Sequence, residues 1–366
     1  MRSAVLAAAL ILAALPGVAV AQAPSPAPPA PVASAPPAVA PRVLPRVRLV
    51  ATGGTISNRR GGRLTADDLV ASVPALADHA TVQAEQFANT GSSQLTLEQW
   101  LGIARRVNAL FRDEPDLTGI VVTCGTDTLE ELAYFLHLTV HDRRPVVVTG
   151  SMRNPSQVGY EGQANLLAAV RVAADPAAAG RGVLVVLNDE INGARDVTKT
   201  DALRLHTFES RGFGSLGVVD GDRVVFRRMA EGRHTAASEF DVTTVAALPR
   251  VDVFLVYQGA PGDLLKAAVD AGARGLVLAT AGAGAISGTQ NEGITYAREK
   301  GIPVVATTRA GSGRIASMRE PVTSTVPAPP RLAAGDLSPV KARILLMLAL
   351  TRTSDPADLQ RMLNEY

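Results

Sequence analysis

The run Arg46-Val-Arg-Leu-Val-Ala-Thr-Gly-Gly-Thr55 decides how the chain is read. Its first part is β-branched and apolar, as a buried strand requires, and a Thr-Gly-Gly-Thr turn ends it. The two glycines allow a sharp backbone turn and leave Thr55 at an exposed position. The same arrangement returns along the chain. Gly119-Ile-Val-Val-Thr123 precedes Cys124-Gly-Thr-Asp127, Pro145-Val-Val-Val-Thr149 precedes Gly150-Ser-Met-Arg153, and Val183-Leu-Val-Val-Leu187 runs towards Asp189 and Asn192. Between these runs, residues 97–111, 128–141 and 162–174 carry apolar side chains near helical spacing. Short, continuously apolar strands with helices between them predict a parallel sheet covered on both faces.

A second set of the same kind follows. Residues 251–257, 275–279 and 302–307 read as strands, and 263–271, 290–300 and 339–351 as helices. The intervening stretch 220–248 is more polar and has no strong helical period. The expected fold class is α/β, with two α/β domains. A larger N-terminal domain with a mainly parallel sheet spans 46–235, a connector 236–250, and a smaller C-terminal α/β domain 251–366.

Upstream of the first strand the sequence reads as an address and a spacer. Arg2 is followed by an apolar run from Ala4 to Leu15, a break at Pro16-Gly17, and the small residues Ala19-Val-Ala21. Residues 1–21 therefore read as a secretory signal, too short for the roughly 20 apolar residues of a membrane span. Cleavage after Ala21 would leave Gln22 first. Residues 22–45 are rich in Pro and Ala and read as a polyproline-like linker without a packed core. The expected location is periplasmic or secreted, with no stable membrane anchor after cleavage.

Composition narrows the function. Lys+Arg minus Asp+Glu is 36 − 34 = +2, and aromatic residues are only 4%. Neither phosphate neutralisation nor base stacking is supported, so no nucleic-acid partner is expected. The single cysteine, Cys124, excludes an intrachain disulfide and a cysteine-rich metal centre. The five histidines show no metal-ligand spacing, and no metal is expected.

In open parallel sheets ligands sit beyond the carboxyl ends of the strands. The turns at those ends hold Thr55, Thr126, Asp127 and Ser151, and Lys199 follows in Arg195-Asp-Val-Thr-Lys-Thr200. A threonine hydroxyl is a weak nucleophile that needs a base. A lysine serves as one when desolvation lowers its pKa, whereas a neighbouring carboxylate pulls the other way. A Thr–Lys–Asp set suits acyl transfer, and Asp127 alternatively suits a substrate ammonium. Taken singly, each residue also has a plain structural reading. Thr55 can cap a turn, Asp127 can cap the helix that begins with Glu130 and Glu131, and Lys199 can be a solvated charge.

These residues resemble the bacterial L-asparaginases of the secreted, type II-like kind with two α/β domains. Leu49-Val-Ala-Thr-Gly-Gly-Thr-Ile-Ser57 is similar to the family's first signature, with the nucleophile at Thr55. Thr123-Cys-Gly-Thr-Asp-Thr-Leu-Glu-Glu131 is similar to the second, which carries Thr126 and Asp127. Gly193-Ala-Arg-Asp-Val-Thr-Lys-Thr200 resembles the segment of the catalytic Lys199, and Leu337-Ser-Pro-Val-Lys-Ala-Arg-Ile-Leu-Leu346 the closing helix. The resemblance covers about residues 46–366. It implies hydrolysis of an amino-acid side-chain amide through a threonine acyl-enzyme, with Thr126, Lys199 and Asp127 as the activating set. It implies substrate contacts from Ser92, Ser93, Ser151, Asp127 and, from a neighbouring subunit, Glu320. No cofactor is implied, and the expected assembly is a homotetramer built as a dimer of dimers.

The chain departs from the family's pattern at several points. The segment after the nucleophile, Asn58-Arg-Arg-Gly-Gly-Arg-Leu-Thr65, lacks the usual lid tyrosine, and Leu64 stands near its place. Cys124 replaces a common histidine, Ser93 a glutamine, Glu161 an aspartate, and Ala283 an asparagine supplied by the neighbour. Two other functions fit the sequence: a periplasmic amino-acid binding protein without catalysis, and an amidase for a different amide. A nicotinamide-dependent oxidoreductase does not, because Thr52-Gly-Gly-Thr-Ile-Ser57 lacks G-x-G-x-x-G.

Overall fold

A computed structural model of the chain describes residues 43–316 and 331–366. The signal reading of residues 1–21, most of the linker and Glu320 lie outside the described residues. Residues Leu44–Tyr366 form one compact unit that contains two principal sheets.

The larger sheet has eight strands. In chain order they are β1 (Arg46–Gly53), β2 (Thr81–Thr90), β3 (Leu117–Thr123), β4 (Val146–Thr149), β5 (Val183–Leu187), β6 (Glu190–Gly193), β7 (Gly217–Val219) and β8 (Val224–Phe226). Their spatial order is β8-β7-β6-β5-β4-β3-β1-β2. The five strands from β2 to β5 are mutually parallel, and β6, β7 and β8 continue the sheet antiparallel. The expectation of a mainly parallel N-terminal sheet holds. The four strands predicted for it are β1, β3, β4 and β5.

Burial shows why these runs become central strands. On β3, Ile120 and Val122 point into the core shared with the helices α2 (Leu97–Asp113) and α3 (Leu129–Thr139). Val121 between them points to the opposite face, against α4 (Gly162–Ala174). Successive strand side chains alternate between faces, so a strand covered twice must be apolar throughout. Helix α2 starts where Thr96 accepts a hydrogen bond from the Gln99 N–H at 3.2 Å while Gln99 Oε1 accepts from the Thr96 N–H at 2.9 Å.

Four strands of this sheet escaped the sequence reading. Strand β2 is an edge strand with alternating half-exposed residues, so it lacks the apolar run that marks the others. Strands β6, β7 and β8 are only three or four residues long. The last of these falls inside the more polar stretch 220–248, where no strand was expected. The turn after Leu187 is also different from the expected ligand-facing loop. It is a tight hairpin in which Asn188 and Asp189 take positive φ of 52° and 61°, and Leu187 pairs with Glu190.

The second sheet is parallel, in the order β9 (Val251–Leu255), β10 (Gly275–Thr280), β11 (Val304–Thr308) and β12 (Leu332–Ala333). Helices α5 (Asp263–Asp270), α6 (Gln290–Glu299), α7 (Pro339–Ala349) and α8 (Pro356–Glu365) accompany it. Helix α7 is buried along most of its length. One apolar cluster joins Ile344 and Leu348 of α7 to Leu132 and Phe135 of α3, so the two α/β halves share a continuous core. No helix among the described residues is long and apolar enough to cross a membrane.

Candidate active site

Register brings the key turns to one level. Ala51 of β1 pairs with Thr123 of β3, and Thr123 pairs with Thr149 of β4. The three strands therefore end near one level, at Gly53, Thr123 and Thr149. The Thr52 hydroxyl donates to the Thr123 carbonyl at 2.7 Å and locks the first two ends to each other.

The Gly53-Gly54 pair is demanded by space as well as by backbone angle. Gly53 has φ 101° and Gly54 φ 89°. A Cβ on Gly53 would lie 2.5 Å from the Thr90 backbone, and one on Gly54 would lie 2.3 Å from the Gly125 nitrogen. The turn after β1 is thus held between the turns after β2 and β3. The Gly54 N–H donates to the Thr90 carbonyl at 2.8 Å. Thr55 and Thr126 each follow one glycine of the touching pair Gly54 and Gly125, so the two residues leave neighbouring strand ends side by side. Thr55 opens a short 3-10 turn with no side-chain cap at its start, and among the described residues its hydroxyl has no hydrogen-bond partner. The capping reading of Thr55 is therefore not the one the structure adopts.

Lys199 comes to the same place from elsewhere in the chain. Its Nζ donates to Thr126 Oγ1 at 3.1 Å and to Asp127 Oδ1 at 2.8 Å. The Lys199 side chain is 15% exposed, whereas that of Asp127 is 74% exposed. A lysine so enclosed is not a solvated surface charge. Nor does Asp127 cap α3, whose N-cap is Thr128 without a side-chain bond. The open edge of Asp127 leaves its second carboxylate oxygen available to a ligand.

The remaining candidates are distributed around this centre. Ser92 is buried, and its Oγ accepts from the Thr128 N–H at 3.3 Å. A Cβ placed on Gly125 would lie 2.8 Å from that Oγ, so Ser92 packs directly on the Thr126 turn. Ser93 is exposed beside it. Ser151 is fully buried and its hydroxyl donates to the Arg153 carbonyl at 2.6 Å. Glu161 holds the loop after β4 by accepting from the Met152 and Arg153 N–H groups. Asn192 is also buried, and it is tied to Phe208 and Ser210 rather than turned to the crevice. Cys124 is buried behind the Thr126 turn, and burial pushes its thiol up to about 12.

Three residues acquire roles that sequence reading did not assign. Glu130 Oε1 accepts from the Lys199 N–H at 3.1 Å and from the Thr198 hydroxyl at 3.0 Å. It lies in the first turn of α3, four residues after Thr126, and that closeness to the Thr126-Asp127 turn is the signal that could have found it. Lys341 is 1% exposed, within the apolar run of α7. Burial pushes it down to about 8, against the pull of Glu130. Tyr160 donates its hydroxyl to the Ile56 carbonyl at 2.9 Å, next to Thr55, and its own pKa is raised by burial. The segment after Thr55 forms a small hairpin, Asn58–Arg59 against Gly62–Arg63, and Arg60 N–H donates to Ser156 Oγ at 2.8 Å.

With this geometry in view, comparison with known proteins gives a consistent answer. The family model for the asparaginase N-terminal domain matches residues 46–231, and that for the glutaminase/asparaginase C-terminal domain matches residues 250–363. The chain belongs to the asparaginase family. L-asparaginase 2 of Bacillus subtilis is 41% identical, with 88% of this chain and 87% of that protein covered. The probable periplasmic L-asparaginase of Haemophilus influenzae is 38% identical, with 88% and 93% covered. Among solved structures, a probable cytoplasmic L-asparaginase from Campylobacter jejuni aligns with a TM-score of 0.82 at 37% identity, covering 88% of this chain and all of that one.

Proposed function

We propose that the protein hydrolyses L-asparagine to L-aspartate and ammonia through an acyl-enzyme on Thr55, with L-glutamine as a second substrate. The observation that carries this reading is Lys199 Nζ bonded to both Thr126 and Asp127, beside the close contact of Gly54 and Gly125 that sets Thr55 next to this turn. In the first half-reaction Thr55 Oγ1 attacks the side-chain amide carbon. Its proton passes by way of Thr126 to Lys199, whose amine must be neutral to accept it, the carbon–nitrogen bond breaks, and the nitrogen takes up that proton and leaves as ammonia. Backbone N–H groups at the strand ends stabilise the oxyanion. Water then attacks the ester, L-aspartate is released and the Thr55 hydroxyl is restored.

The free side of Asp127 receives the substrate ammonium, and Ser92 and Ser93 face its carboxylate, with Ser151 and a neighbour's Glu320 completing the contacts. One methylene separates the two amides, and that difference is worth only about 1–3 kcal/mol in a hydrophobic contact. Acceptance of both follows unless a polar contact discriminates. The proposal includes domains at 46–235 and 251–366 joined by 236–250, export to the periplasm or beyond by residues 1–21, and a homotetramer. The relatives named as L-asparaginases support the reaction, and the periplasmic one the location.

Ammonia release from L-asparagine and L-glutamine by the purified protein tests the reading, with Thr55→Ala as control. Release that disappears in Thr55→Ala, while the variant stays folded, is the expected result. Turnover retained by Thr55→Ala removes the nucleophile. Tight binding of asparagine without release replaces the enzyme by a binding protein.

A further inference from the structure

We propose that Glu130 and Lys341 are positioning residues that hold the backbone of residues 195–199 from two sides, so that Lys199 Nζ meets Thr126 and Asp127. This inference rests on the reading of Lys199 as part of the activating set. Lys199 lies in a two-residue strand, Thr198–Lys199, whose ladder partner is the equally short Phe208–Glu209. A two-stranded ribbon of this size is marginal by itself. Its placement has to come from other contacts.

Glu130 supplies one of them. One carboxylate oxygen accepts from both the Lys199 N–H and the Thr198 hydroxyl, at 3.1 and 3.0 Å. Glu130 lies in the first turn of α3, directly after the turn that carries Thr126 and Asp127, so adjacent stretches of chain offer the hydroxyl that Lys199 binds and the carboxylate that fixes its backbone. The other oxygen, Oε2, is buried without a hydrogen-bond partner among the described residues. Lys341 Nζ stands 4.0 Å from it. That ammonium donates to the Arg195 carbonyl at 2.9 Å and to the Val197 carbonyl. Lysine is almost never fully buried unless it is paired, and here its donors are spent on the two carbonyls just ahead of Lys199. Arg195 is itself clamped by Asp336 at 2.8 Å. Through Lys341 and Asp336, the C-terminal half of the same chain therefore braces the lysine strand of the N-terminal half.

A positioning role separates from a merely structural one by the kcat and KM of the full chain and by a double-mutant cycle. Ammonia release is measured for Glu130→Gln, Thr198→Val, Lys199→Met and the two double variants. Glu130→Gln is expected to lower kcat about 10- to 100-fold, as displacement of a catalytic group by about 1 Å does, with KM within about twofold. In the Lys199→Met background the same change costs less than about twofold, because nothing is left to position. Thr198→Val removes one of the two bonds to Glu130 and shows a smaller loss with the same dependence on Lys199, which keeps the test open if Glu130→Gln does not fold. Equal losses with and without Lys199, or a lowered Tm with unchanged kcat, overturn the proposal. A Lys199→Met enzyme of unchanged kcat overturns the reading of Lys199 itself, and that single variant identifies the failure.

Discussion

Gly54→Ala places a methyl group where the turns after β1 and β3 touch. Two costs follow from the structure. The backbone has φ 89° and ψ −174°, a region that is essentially glycine's alone, at about 1–3 kcal/mol for another residue. The new Cβ lies 2.3 Å from the Gly125 nitrogen and 2.4 Å from its Cα, and neither atom is the end of a flexible side chain. Backbone shifts of this kind cost about 1–3 kcal/mol. Together the expected destabilisation is about 2–6 kcal/mol. The relief of the clash also moves Thr55 away from Thr126. A shift near 1 Å corresponds to about a 100-fold fall in kcat. Gly272→Ala is the control, because Gly272 has a nearly identical φ of 90° but no atom within 4 Å of the added Cβ. It carries only the left-handed backbone cost of about 1–2 kcal/mol and leaves turnover alone. Urea unfolding and ammonia release are measured on the same preparations. Gly54→Ala with the stability of Gly272→Ala and kcat within twofold of the parent would refute the close-approach argument.

Other consequences are open to direct measurement. Burial holds the Cys124 thiol neutral up to about 12, against an ordinary value of 9.0. Between these values the folded chain keeps a proton that the unfolded chain releases, so this group's contribution to stability is lost as pH rises from about 9 to 12. The urea midpoint should fall more steeply over that range for the parent than for Cys124→Ala, and identical slopes would contradict the assignment. The same burial predicts that iodoacetamide leaves Cys124 unmodified until urea unfolds the chain, which mass spectrometry reads directly. Tyr160→Phe removes the hydrogen bond to the Ile56 carbonyl and should cost about 0.5–1.5 kcal/mol in thermal unfolding. An unchanged Tm would show that this bond does not hold the turn of Thr55 and Ile56.

The central strands were legible because each is covered on both faces and must be apolar throughout, as Val147 and Val148 on opposite sides of β4 illustrate. Strand β2 was not, because one edge and much of its side-chain surface meet solvent. Within the site, Thr55, Thr126 and Asp127 stood out because each follows a strand and a glycine. Glu130 passed as an ordinary first-turn acid, which α3 also contains in Glu131. Lys341 was hidden inside a helix whose apolar residues dominate its reading.

Local sequence by itself therefore determined the doubly covered strands, the helices between them and the glycine turns at the strand ends, since periodicity and backbone freedom act within a few residues. It also marked the family through two signatures and a lysine segment. The tertiary structure alone decided that Lys199 meets Asp127, 72 residues away, and that Lys341 reaches back 144 residues to the Val197 carbonyl. Such contacts depend on strand register, on the shared core between α3 and α7, and on the cost of burying a charge without a partner. None of these leaves a periodic trace in the chain.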